Sequence, residues 1–304
     1  MRLKWESPRV YGGLIPLVRK GIYMKKISVI GSGTMGRGIA YSCATAGFLT
    51  VVQDISESSL ETCRTYIERQ LGRSVEKGLL TPEEEVAARE RIRFTTSLEE
   101  AAQGTDLVIE AVLELMELKI ETFKQLDQFA PPHAILATNT STMSPTEIAA
   151  QTSRPSQCIA LHFFNPVPKM KLIEVICGLE TSEETIQKSF EFGKTLGKEC
   201  VKINEYPGFA VSRMNCLIGN EAMNMVMEGV GSVEDIDKAM KLGLNHPMGP
   251  LELADLVGLD TRLRNMEYLH KTLGEKYRPC PILVKYVKAG WLGKKSGRGF
   301  YNYN

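Results

Sequence analysis

The chain has 304 residues, 43% hydrophobic and 24% charged, enough for two domains that each bury a core without a disulfide or metal staple. Lys and Arg number 37 against 36 Asp and Glu, a formal net charge of +1. This balance speaks against a nucleic-acid partner, which calls for a strong basic excess, and against a long charged tail. No apolar run approaches the roughly 18 residues of a membrane span, so no membrane partner is expected. The seven cysteines are odd in number, widely spaced and without a C-x-x-C. Neither a disulfide framework nor a metal site is expected, and a reducing cytoplasm is the natural compartment.

Residues 1–23 stand apart. They carry Arg2, Lys4, Arg9, Arg19 and Lys20 against Glu6 alone, broken by Pro8, Gly12, Gly13 and Pro16. Their apolar pieces are too short for the core of a secretory signal. A second methionine, Met24, directly precedes the first regular pattern, so residues 1–23 read as an upstream extension outside the fold. Taking their five bases and one acid from 37 and 36 leaves 32 and 35. The remainder is mildly acidic, and any attraction for phosphates must be local.

The folded pattern opens with the β-branched run Lys25-Lys26-Ile27-Ser28-Val29-Ile30 and passes straight into Gly31-Ser32-Gly33-Thr34-Met35-Gly36. Ile39, Ala40, Cys43, Ala44 and Ala46 then form a helical stripe ending at Gly47. A second strand, Leu49-Thr50-Val51-Val52-Gln53, ends at Asp54. A lone G-x-G-x-x-G says little, but strand, glycine turn, helix, strand and acid together make a dinucleotide fingerprint. Gly31 permits the tight turn, Gly33 the approach of a pyrophosphate, and Gly36 close packing of helix on strand. Thr34 and Met35 begin the helix whose free N–H groups would face the anion. Asp54 is placed to accept hydrogen bonds from ribose hydroxyls. With no cation in the next residues, Ile55 and Ser56, it favours NAD over NADP.

Residues 56–77 read as a long amphipathic helix. Thr81-Pro82-Glu83-Glu84 is a helix start with Thr at the N-cap, Pro at N1 and Glu at N3, so a helical hairpin is expected after the second strand. Arg69, Arg73 and Lys77 share one helical face, although Glu61, Glu68 and Glu76 dilute the strip. Further strand-like runs lie at 106–112, 134–138 and 158–164, with helical stretches at 116–129 and 145–150. The alternation predicts a Rossmann-type, doubly wound, mostly parallel sheet that binds its ligand beyond the strands' carboxyl ends. Three polar clusters fall at such ends and should converge. They are residues 114–119, Asn139-Thr140-Ser141, and His162-Phe163-Phe164-Asn165-Pro166.

Histidine is scarce, with four in the chain. His162 follows an apolar run, and Glu174 sits twelve residues on within Lys171-Leu172-Ile173-Glu174-Val175-Ile176. An acid in such a run is costly to bury unless paired. Two strands joined through Pro166-Val167-Pro168 could bring the two together as a base and its partner. Spacing alone leaves a core histidine and an edge-strand acid equally open.

Three runs carry a resemblance. They are Ala137-Thr138-Asn139-Thr140-Ser141, the stretch from His162-Phe163-Phe164-Asn165-Pro166 through Leu172-Ile173-Glu174-Val175, and Tyr206-Pro207-Gly208-Phe209. With the terminal Gly293-Lys294-Lys295-Ser296-Gly297-Arg298-Gly299-Phe300-Tyr301, they resemble the L-3-hydroxyacyl-CoA dehydrogenase family, nearest its short-chain bacterial branch. The likeness runs in matching order from Met24 to the end. It implies NAD-dependent oxidation of an (S)-3-hydroxyacyl-CoA, such as 3-hydroxybutyryl-CoA, and the reverse reduction. His162 would be the base, Glu174 would orient its imidazole, and Ser141 would hold the reacting oxygen. Glu114, Lys119 and Asn139 would lie toward the nicotinamide, and Asn165 beside the substrate. The Arg69 and Arg73 strip gains weight as a contact for CoA phosphates. One departure is Ser212, which stands where similar members often carry a substrate-binding Asn.

From Pro207 the pattern is helical. Met214, Leu217, Ile218, Ala222, Met225 and Val226 form a stripe, Ser232 caps a further helix, and residues 251–273 again read helical. The expected division is a nucleotide domain over 24–206 and an all-α domain over 207–304. The resemblance implies that the latter makes a homodimer and closes the substrate cleft. Two rivals stay open at this point: a dehydrogenase of a hydroxyacid or sugar acid without CoA, and a non-catalytic NAD-binding protein like the family's crystallin relatives.

Overall fold

The computed structural model describes residues 24–303; the extension read over residues 1–23 lies outside them. Five strands and five helices alternate in the first half. β1 (Lys26–Ile30), α1 (Thr34–Thr45) and β2 (Leu49–Gln53) are followed by α2 (Glu57–Glu76) and α3 (Pro82–Glu90). Then come β3 (Ile92–Thr95), α4 (Leu98–Ala102), β4 (Leu107–Glu110), α5 (Met116–Phe129) and β5 (Ile135–Thr138). α6 (Pro145–Ala149), β6 (Cys158–Phe163), β7 (Leu172–Cys177), α7 (Glu183–Thr195) and β8 (Glu199–Asn204) complete the sheet-bearing part. The strands make one eight-stranded sheet in the order β3-β2-β1-β4-β5-β6-β7-β8. Only the β6–β7 pairing is antiparallel. The chain therefore reverses its winding between β1 and β4, which opens a crevice at the carboxyl ends of those strands.

Local chemistry accounts for these elements. The hairpin α2–α3 starts at caps that satisfy free N–H groups: Ser56 accepts from the Ser59 amide, and Thr81 and Glu84 form a reciprocal capping box. The central strands bury both faces. Leu107 and Ile109 of β4 join the core under α1, α2 and α7, and Val108 joins that under α4, α5 and α6. Four elements of the sheet-bearing part, β3, α4, α7 and β8, were not expected from the sequence. β3 is a four-residue edge strand carrying Arg93, and β8 is the opposite edge, exposed or half-buried throughout. α7 connects the parallel neighbours β7 and β8 and packs on one face of the sheet.

The second half is all helical: α8 (Val211–Met227), α9 (Val233–Gly243), α10 (Pro250–Val257), α11 (Leu259–Leu273) and α12 (Pro281–Lys288). Its own core includes Met223, Leu251, Met266 and Leu283. The helix expected over residues 251–273 is broken. Gly258, at φ +100°, separates α10 from α11 in a backbone conformation that other residues reach only with strain.

Two buried carboxylates close this domain. Asp237 accepts the amides of Leu251 and Glu252 and the Tyr301 hydroxyl. Asp255 accepts the amides of Phe300 and Tyr301 and the Tyr303 hydroxyl. Burial raises the pKa of Asp255 despite these donors. Replacing Asp255 by Ala strips three donors of their acceptor and should cost about 3 kcal/mol of stability. A urea titration checks this; an unchanged midpoint would deny the carboxylate its clamping role.

Candidate active site

The glycine turn has the shape of a dinucleotide seat. At Gly31 (φ +98°) a Cβ would lie 2.6 Å from the Ala111 carbonyl oxygen, and at Gly36 only 1.8 Å from that of Gly31. Those two glycines are demanded by the chain's own packing. Gly33 is exposed, and a Cβ there would meet nothing within 4 Å, so the space beside it is open to a ligand. Gly33 is also the N-cap of α1, with no side-chain cap and no acid in the first turn. The first N–H groups, next to exposed Thr34 and half-buried Met35, are thus left to an anion. Asp54 Oδ2 accepts from the Ser32 amide (2.9 Å) and hydroxyl (2.7 Å), and Oδ1 from the Ser56 amide (3.1 Å). No cation pairs with it among the described residues, so a 2′-phosphate would meet an uncompensated carboxylate. The residues fit NAD.

Across the crevice the three polar clusters meet. Lys119, on α5 and only 1% exposed, lies 2.8 Å from Glu110 Oε1 and 3.1 Å from Glu114 Oε2. Burial pulls its pKa down, but the two carboxylates outweigh that and raise it overall. Glu114 Oε1 accepts the Ser141 amide at 2.9 Å and the Thr140 hydroxyl. Asn139 Oδ1 accepts the Phe163 amide at 2.9 Å, tying the end of β5 to that of β6. The side chain of Ser141 is half-buried and turns no hydrogen bond back into the protein among the described residues.

His162 and Glu174 are directly opposite one another in the antiparallel β6–β7 pair. Both are buried, and His162 Nδ1 lies 2.7 Å from Glu174 Oε2. Glu174 Oε1 accepts the amides of Val211 (2.9 Å) and Ala210 (3.3 Å) at the start of α8. The acid is therefore held from both halves of the chain. Phe164 and Phe209 lean on the imidazole at ring-centroid distances of 4.4 and 6.0 Å. Nε2 carries no hydrogen bond among the described residues. With Nδ1–H donated to the carboxylate, Nε2 is the free lone pair, a base pointing away from its anchor.

Asn165 is exposed in the turn after β6, and Ser212 is half-buried in the first turn of α8, beside the amide that holds Glu174. Arg69 and Arg73 are exposed on α2, beyond β2, and the structure does not bring them to the histidine. Sequence reasoning missed Glu110 and the α8 amides. Its other histidines are remote: His133 pairs with Asp106 and His270 with Glu275, each at 3.1 Å. No group of three or more His, Cys, Asp or Glu among the described residues could hold a metal, and no described helix is long and apolar enough to cross a membrane. Burial pushes the Cys63 thiol up to about 12 and that of Cys158 to about 11, so neither is a nucleophile at neutral pH.

Comparison with known proteins follows this division of the chain. The family profile of the 3-hydroxyacyl-CoA dehydrogenase NAD-binding domain matches residues 26–206, and that of the C-terminal domain residues 208–303. A probable 3-hydroxybutyryl-CoA dehydrogenase of Bacillus subtilis is 53% identical over 281 residues, 92% of this chain and 98% of the relative. The human mitochondrial hydroxyacyl-coenzyme A dehydrogenase is 42% identical, with 93% of each chain covered. The crystal structure of the (S)-3-hydroxybutyryl-CoA dehydrogenase of Ralstonia eutropha superimposes with a TM-score of 0.88 at 43% identity, covering 93% of this chain and all of that one.

The glycines separate packing from binding. Gly33→Ala should leave the thermal midpoint within about 2 °C yet weaken dinucleotide binding by about tenfold or more, whereas Gly36→Ala should lower stability by about 2 kcal/mol or more. Equal stability losses in the two variants, read by thermal melts beside NADH fluorescence titrations, would contradict the assignment.

Proposed function

The chain belongs to the 3-hydroxyacyl-CoA dehydrogenase family, and from that premise we propose that it interconverts short-chain (S)-3-hydroxyacyl-CoA, 3-hydroxybutyryl-CoA above all, and the 3-oxoacyl-CoA. The observation that carries the reading is the buried His162–Glu174 pair, 2.7 Å apart, with Nε2 left free on the carboxyl side of the sheet. Bound NAD supplies the acceptor for the hydride lost by the carbinol carbon. His162 Nε2 takes the hydroxyl proton as that carbon becomes a ketone, and returns it in the reverse reduction. Glu174 fixes the Nδ1–H tautomer and offsets the charge of the imidazolium, itself steadied by the two α8 amides. The Ser141 hydroxyl donates to the reacting oxygen, Asn165 lines the acyl side, and Ser212 contributes a hydroxyl from α8. Gly31, Gly33, Thr34, Met35 and Gly36 cradle the cofactor pyrophosphate, Asp54 its adenosine ribose, and Glu114, Lys119 and Asn139 its other end. Arg69 and Arg73 attract the CoA phosphates from their exposed face.

The helical half supports self-association. Met214, Met227, Val230, Leu242 and Leu244 are half or more exposed on it. Between α8 and α9 runs an apolar groove of about 540 Å³ lined by Leu217, Ile218, Ala222, Met225, Ile236 and Met240. Exposed apolar surface of that kind marks an interface, and a second copy of this chain is the proposed occupant. Seven free cysteines suit a cytoplasmic setting.

His162→Ala should cut turnover by about a thousandfold while NADH binding stays within about twofold; comparable turnover would refute the base. NADH oxidation should proceed with acetoacetyl-CoA and hardly at all with acetoacetate, and NADPH should hardly replace NADH. Turnover of free acetoacetate at a similar rate would favour a hydroxyacid dehydrogenase that does without CoA.

A further inference from the structure

Glu110 has no part in the chemistry above, yet, like Glu174, it is a fully buried acid near the crevice. It ends β4 with no exposure at all. Its Oε1 takes Lys119 Nζ and the Val112 amide, each at 2.8 Å, and its Oε2 takes the Thr138 hydroxyl at 2.7 Å. Every partner is internal, so Glu110 is satisfied before any ligand arrives. Of the trio Glu110, Lys119 and Glu114, only Glu114 reaches solvent, its side chain 29% exposed against 0% and 1% for the others.

The trio holds one cation and two carboxylates, a net charge of −1. Were Lys119 paired with Glu114 alone, the two would cancel, and the crevice would offer a neutral wall. Glu110 takes up the lysine's charge inside the protein, where the low dielectric makes the match strong, and leaves the charge of Glu114 uncompensated. Glu114 bonds the Ser141 amide beyond β5, on the side of the crevice away from Asp54 and toward His162. In a doubly wound sheet the cofactor spans the switch point. With its adenosine at Asp54, its nicotinamide lies here. That ring carries a positive charge when oxidised and none when reduced.

We infer that Glu110 is a positioning residue that sets the redox preference of the cofactor site: by neutralising Lys119 it leaves Glu114 to stabilise the oxidised, cationic nicotinamide over the reduced one. This rests on the dehydrogenase reading above, since it requires NAD to bind across the crevice. The lysine then holds the Glu114 carboxylate against the loop at Ser141 without quenching it.

The test is the ratio of dissociation constants for NAD and NADH, measured without substrate by fluorescence titration and by competition. Glu110→Gln removes one negative charge at constant shape, so the ratio Kd(NAD)/Kd(NADH) should rise by about fivefold, the order expected of one partly solvated unit charge. Glu114→Gln makes the same change of charge at a partly exposed position and should raise the ratio similarly. The double variant Glu110→Gln with Lys119→Met restores the net charge of −1 and should return the ratio to the parent's. It also removes the burden of an unpaired buried lysine, should Glu110→Gln alone fail to fold. Equal weakening of NAD and NADH in Glu110→Gln, or a double variant shifted as far as Glu114→Gln, overturns the inference while leaving the dehydrogenase reading intact. A parent chain that binds neither nucleotide overturns both.

Discussion

A carboxylate with no solvent exposure holds this structure's two halves to one task. Glu174 sits inside the sheet, where an unpaired charge would cost several kcal/mol. Three donors meet that demand: the His162 imidazole from the neighbouring strand and two amides from the first turn of α8. The imidazole is thereby fixed in rotation and tautomer, and the helical domain is hydrogen-bonded to the same carboxylate that holds it. A shift of α8 relative to the sheet would loosen Glu174 first and His162 with it. On the proposed reading this gives the helical half a part in the chemistry, although the base belongs to the sheet.

The same logic of matched buried charge recurs along the crevice. Glu110 and Lys119 are satisfied within the protein, and what remains outward is the single carboxylate of Glu114 on the Ser141 loop. Opposite, the α1 start offers uncapped N–H groups and an exposed glycine. A chain that is mildly acidic beyond residue 23 thus has a local electropositive seat for a pyrophosphate and a local negative wall nearby. Net charge said little about either. Placement does the work, through the reversal of winding between β1 and β4.

Much of this was legible in the sequence because it rests on local rules. The run from Lys25 to Asp54 shows strand, turn, helix and acid within thirty-odd residues, and the Thr81–Glu84 box announces its helix. His162 and Glu174 could be paired because a proline turn joins two short apolar runs, and their cross-strand register is direct. What escaped had no local signature. β3 carries Arg93 and β8 is half polar and nowhere fully buried, since edge strands need bury only part of their faces. The apolar stripe runs through Gly258 as though one helix continued, and only a positive φ reveals the break. Glu110 fell inside the strand-like run 106–112 without a role, and Lys119 was placed toward the nicotinamide by resemblance alone, because nothing in a sequence shows that each is buried by the other. The amides that hold Glu174 are main-chain groups, which no residue type betrays.

On the proposed mechanism Glu174 fixes the imidazole with its proton on Nδ1, so that Nε2 faces the crevice as the base. Nitrogen-15 NMR of histidine-labelled protein at a pH where His162 is neutral reads this directly. A protonated Nδ1 and a bare, pyridine-like Nε2 are expected at His162, a pattern lost in Glu174→Ala. A proton on Nε2 in the parent protein would contradict that mechanism, for that tautomer has no lone pair on the crevice side with which to take a substrate proton.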